Sequence, residues 1–90
     1  MTPSKSAIES PVTLVVYGRE ECHLCQNMIA DLHELQGRLH FRIKLVDIDN
    51  DNELTARYCV RIPVLVVDGE EICHYHLNPI ALDAYFARIR

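Results

Sequence analysis

Apolar and polar positions fall into blocks along this 90-residue chain, and each block carries its own period. "VTLVVYG" is β-branched and nearly continuous, then closes on Gly18, which predicts a strand buried on both faces. In "HLCQNMIADLHELQG", Leu24, Met28, Leu32 and Leu35 recur at helical spacing, with Ile29 beside them and Gly37 as the stop. "HFRIKLVDID" predicts a second strand, half-exposed at its start, because Phe41, Ile43 and Leu45 alternate with His40, Arg42 and Lys44. "DNDNELTARYCV" predicts a short helix through about Tyr58, opened by an Asn or Asp cap near Asn50. Val64 to Val67, the turn signal Asp68 and Gly69, and residues 71–75 predict a hairpin. "NPIALDAYFARIR" predicts a closing helix: Asn78 caps, Pro79 takes the first turn, and Leu82, Tyr85, Phe86 and Ile89 share one face.

The order is therefore β-α-β-α-β-β-α, an α/β arrangement without repeat or linker. Strands joined through a helix run parallel, and the hairpin adds an antiparallel pair. Helices must then cover both faces of a mixed sheet. Residues 1–11 read as a flexible tail and 12–90 as one domain. No stretch approaches the roughly 18 to 20 apolar residues of a membrane span. The N-terminus lacks the apolar core of a signal peptide, so a cytoplasmic setting without membrane contact is expected. The net charge of -4 forms no basic stripe, which argues against a nucleic-acid partner.

Four cysteines change this picture from fold to chemistry. Cys22 and Cys25 stand two residues apart where the first helix begins. The helix N-terminus has partial positive charge and unpaired N–H groups, both of which favour a thiolate at Cys22. Cys25, one turn further in, is less exposed. This inequality suits an attacking thiol, Cys22, and a resolving thiol, Cys25. His23 between them adds positive charge when protonated, or simply faces solvent. Arg19 is a candidate to hold the thiolate or an anionic substrate. Glu20 and Glu21 fit a first helical turn as dipole partners. Pro63, after Ile62, belongs at the start of its strand because it has no N–H to donate.

A strand, C-x-x-C at a helix start, I-P opening a hairpin, and a last helix together resemble the thioredoxin superfamily. The short form is similar to the bacterial glutaredoxin-like group of small uncharacterised domains. The resemblance covers nearly all of 12–90. It implies a thioredoxin fold with a four-stranded mixed sheet flanked by three helices. It implies a cis proline at Pro63 facing Cys22 and Cys25, with Cys22 as nucleophile; Arg19, His23, Ile62 and Pro63 are the candidate substrate-binding residues. The implied activity is thiol–disulfide exchange on a protein or small-molecule disulfide by a monomer, with no bound cofactor. Glutathione or another reductase would supply the electrons. The chain departs from glutaredoxins in three places: His23-Leu24 stands between the cysteines, Arg61-Ile62 precedes the proline, and "CHYHLNP" replaces the Gly-Gly and acidic residue that bind glutathione.

Two other readings stay open. Cys22 and Cys25 supply half of a tetrahedral zinc set, with Cys59, Cys73, His74 and His76 as candidates for the rest. A non-catalytic module would use the proline edge only to hold partners. Cys59 and Cys73 read as structural filler, with a second redox pair as the sharper alternative. His33 and His40 read as surface residues, and Tyr17 as the end of the buried strand or a neighbour of the dithiol.

Overall fold

A computed structural model describes residues 12–89, so the tail expected at 1–11 lies outside the described residues. The strands are β1 (Val12–Gly18), β2 (Phe41–Asp47), β3 (Val64–Val67) and β4 (Glu70–His74). The helices are α1 (His23–Leu35), α2 (Asn52–Tyr58) and α3 (Pro79–Ile89), with a 3₁₀ turn at Ile48–Asn50. The sheet order is β2-β1-β3-β4. β1 and β2, joined through α1, are parallel, and β1–β3 and β3–β4 are antiparallel.

The two central strands explain where the cores sit. Leu14, Val16, Leu65 and Val67 project to one face and meet Met28 and Leu32 of α1 and Leu82, Tyr85 and Phe86 of α3. Val64 and Val66 project to the other face and meet Ile48 and Tyr58, with Tyr17, Leu54 and Ile62 packed at the margin. Period-two alternation thus feeds two cores from one pair of strands. The four residues of β3 are all buried, as its unbroken apolar run predicts.

Local rules account for most boundaries. Asp68 and Gly69 both adopt positive φ, 54° and 81°, the backbone of a two-residue type I′ hairpin turn. Asp51, rather than Asn50, caps α2 through bonds from the N–H groups of Glu53 and Leu54. Asn78 caps α3 through the N–H of Ala81. Three details differ from expectation. Glu20 and Glu21 precede α1, whose first turn holds no acidic residue. The end of α1 is closed by turn bonds, among them Leu39 N–H to Leu35 O, and Gly37 is not left-handed. Ile89, expected on the packed face of α3, is 47% exposed.

The return strand of the hairpin carries a bulge. Leu65 pairs with Cys73 and Val66 with Glu71, so Ile72 is the extra residue. Tyr75, expected within this strand, instead leaves it with φ 67°. No helix among the described residues is long and apolar enough to cross a membrane.

Candidate functional site

Cys22 is the N-cap of α1. Its backbone is extended, and its Sγ accepts the backbone N–H of Cys25 at 3.2 Å. An N-cap normally offers a side-chain oxygen to such an N–H; here a sulfur takes that place. The loop before it is fastened at both ends: Cys22 N–H donates to Arg19 O, and Gln26 Nε2 donates to Glu20 O.

Cys25 lies one turn inward and is buried, only 2% exposed. Burial first, and the hydrogen bond with Cys22 second, push its thiol up to about 12; the Arg19 backbone N–H opposes them. Its burial depends on Gly18. A β-carbon at position 18 would stand 2.5 Å from Cys25 Sγ and 3.2 Å from Cys25 Cβ. The end of β1 therefore leaves the space that the thiol fills.

The same strand end brings up Pro63. Tyr17 pairs with Val64 in the antiparallel register, so one step further Pro63 falls opposite Gly18. The Ile62–Pro63 peptide bond is cis. Pro63 is fully buried, and Ile62 packs against the core beneath α2. Sheet register thus joins the 62–63 segment and the C-x-x-C pair at one edge, although forty residues separate them in sequence.

Arg19 does not reach for the Cys22 sulfur. Its Nε donates to both carboxylate oxygens of Asp49, at 3.0 and 3.1 Å, tying the loop after β1 to the 3₁₀ turn after β2. Asp49 was not singled out by the sequence, and its thirty-residue separation from Arg19 leaves no local signal. His23 is the first residue of α1 and is exposed. Tyr17 stacks on Tyr58, with ring centroids 4.6 Å apart, on the sheet face away from α1. It therefore packs away from the core that α1 covers.

The remaining thiols part company. Cys59 packs with the core under α2, and Cys73 with the core under α1 and α3, so the sheet lies between them. That arrangement removes the second redox pair. All four cysteines are free. Cys73, His74 and His76 border an open groove before α3. Among the described residues, no three His, Cys, Asp or Glu side chains gather to hold a metal ion.

Two further residues of this edge escaped sequence reasoning. Arg61 Nη1 donates to Glu71 at 2.7 Å, and Glu71 also meets His74 Nδ1 at 3.1 Å. Tyr75 donates its backbone N–H to Pro63 O at 2.8 Å and its hydroxyl to Val60 O at 2.9 Å.

A four-stranded mixed sheet with helices on both faces and a C-x-x-C pair at the cap of its first helix defines a small thioredoxin-fold domain. The glutaredoxin-like domain model (DUF836) matches residues 13–87, and the chain belongs to that family. The solution structure of protein Ne2328 from Nitrosomonas europaea is similar, with TM-score 0.78 and 45% identity over 83% of this chain and 91% of that one. The X-ray structure of XcR50 from X. campestris gives TM-score 0.68 and 29% identity, over 83% and 96%. Thioredoxin of Fasciola hepatica shares the fold at TM-score 0.56 and 22% identity, over 94% and 86%. An uncharacterised protein of Mycobacterium tuberculosis is 29% identical over 75 residues, 78% of this chain and 77% of its own length. Family and cysteine pair together support a redox-type role.

Proposed function

We propose that this chain is a thiol–disulfide oxidoreductase in which Cys22 attacks and Cys25 resolves. The observation that carries the reading is the inequality of the two sulfurs. Cys22 Sγ sits at a helix cap and accepts an N–H, while Cys25 is buried and held protonated. A half-buried sulfur capping a helix N-terminus, beside a fully buried one, is the sulfur placed to attack first.

The cycle balances with the dithiol as the two-electron donor. Cys22 thiolate attacks one sulfur of a substrate disulfide; a Cys22–substrate S–S bond forms and the other substrate sulfur leaves as thiolate. Cys25 then gives up its proton and attacks Cys22 Sγ. The mixed disulfide breaks, the second substrate thiol leaves, and a Cys22–Cys25 disulfide remains. An external thiol reductant restores the dithiol by the reverse exchange.

The substrate class this site suits is a protein or peptide disulfide. Arg19 is already paired with Asp49 and Arg61 with Glu71, so neither guanidinium waits unpaired for the carboxylates of glutathione. The glutathione-binding Gly-Gly is replaced by His74 and Tyr75 and their neighbours. A protein reductase is accordingly the donor this reading favours.

Alkylation and mass spectrometry test the exchange. Mild oxidation should produce a Cys22–Cys25 bridge that dithiothreitol removes. Cys22→Ser should abolish disulfide reduction, and Cys25→Ser should accumulate mixed disulfides on Cys22. Thiols that both alkylate freely after oxidation would overturn the proposal. A coupled assay of glutathione with its reductase against a thioredoxin system should show turnover with the latter; turnover with glutathione only would reverse the assignment of the donor.

A further inference from the structure

Tyr75 is an outlier that the dithiol chemistry leaves unexplained. A bulky L-residue is disfavoured at φ 67°, where its Cβ crowds the following carbonyl. Such a conformation persists only where the surroundings over-determine it, and it clusters at functional edges. Here the surroundings are two hydrogen bonds to one short segment. The backbone N–H of Tyr75 reaches Pro63 O at 2.8 Å, and its hydroxyl reaches Val60 O at 2.9 Å. The left-handed turn is what lets one residue reach both ends of 60–63.

A second tie runs from the same stretch of chain, since Glu71 holds Arg61 at 2.7 Å. Between these anchors lies Ile62, one residue before Pro63, which the strand register sets opposite Gly18, the residue packed against Cys25. Val60, 76% exposed, has little burial of its own to fix it, unlike Ile62 and Pro63, so hydrogen bonding must hold that end of the segment.

We propose that Tyr75 is a positioning residue: it clamps segment 60–63 from both ends so that its backbone is presented to an extended disulfide substrate in register with Cys22. The clamp stands on the two bonds; its use in presenting substrate rests on the oxidoreductase reading.

Two variants separate the parts. Tyr75→Phe keeps the ring and the backbone bond but loses the bond to Val60 O. Tyr75→Gly accepts positive φ without strain and also loses that bond. Both should raise amide hydrogen exchange across 60–62 about fivefold, which is about 1 kcal/mol at 1.4 kcal/mol per tenfold. In a Cys25→Ser background, both should slow single-turnover attack by Cys22 on a cystine-bridged peptide by a similar factor. Alkylation of Cys22 by iodoacetamide should keep its wild-type rate. Unchanged exchange in both variants would overturn the clamp, and an equal fall in peptide attack and alkylation would overturn the presenting role. If unmodified Tyr75 protein does not attack the peptide at all, the oxidoreductase reading falls, and exchange alone decides the clamp.

Discussion

At the scale of single residues, the site is built by what is missing at position 18. Cys25 Sγ occupies the space where any other residue would place its Cβ, 2.5 Å away. Both neighbours are constrained, Gly18 by strand pairing on β1 and Cys25 by the helix that carries it. Gly18→Ala should therefore destabilise the protein by about 1–3 kcal/mol, the usual range for overpacking a filled core. Because the closest atom is a sulfur, the same change in a Cys25→Ala background should be clearly milder. A double-mutant cycle by urea denaturation measures that coupling. Equal losses in the two backgrounds would show that the sulfur is not what Gly18 accommodates.

At the scale of elements, short segments carry the site and caps decide where they start. α1 begins at Cys22 because its sulfur serves as the cap, so helix initiation and thiol placement are one event. α2 has only 7 residues, too few to be stable without tertiary packing. It is held by Asp51, by Thr55 Oγ1 donating to Ile48 O at 2.6 Å, and by Tyr58 stacked on Tyr17. Asp51→Ala should cost about 1 kcal/mol, the ordinary value of a lost N-cap. The loss should appear as a lower urea midpoint with an unchanged slope, since the exposed surface on unfolding stays the same. A changed slope would mean that α2 unfolds apart from the rest.

At the scale of the whole molecule, the protonation of Cys25 links the site to stability. Burial holds the folded thiol up to about 12, whereas an unfolded cysteine ionises near about 8.5. Above that lower value the unfolded chain has lost a proton that the folded chain keeps, so stability falls as pH rises. The contribution is complete below about pH 8.5 and is lost progressively as pH climbs toward 12, at up to about 1.4 kcal/mol per unit. Reduced protein should show this decline in thermal melts between pH 9 and 11, and Cys25→Ala should flatten it. Parallel declines in both proteins would assign the effect to other groups. In the exchange proposed above, the same protonation would hold Cys25 back until Cys22 had formed its mixed disulfide, and one buried sulfur would then set both the order of that reaction and the alkaline limit of the fold.

What the sequence determined by itself is what short-range rules control. Period-two and helical periodicity marked the strands and helices, Asp68 and Gly69 marked the hairpin, and Asn78 with Pro79 marked the last helix. The C-x-x-C after a strand marked the pair of cysteines and their unequal depth. Tertiary structure alone decided what lies around them. Gly18 against Cys25, Arg19 on Asp49, and Tyr75 on both Val60 and Pro63 join residues that no local pattern relates. It also separated Cys59 from Cys73 by the thickness of the sheet. The physical reason is reach: a residue's preference for helix, strand or turn acts over a few neighbours, whereas a contact across the sheet exists only once the register of β1 with β2 and β3 has been set.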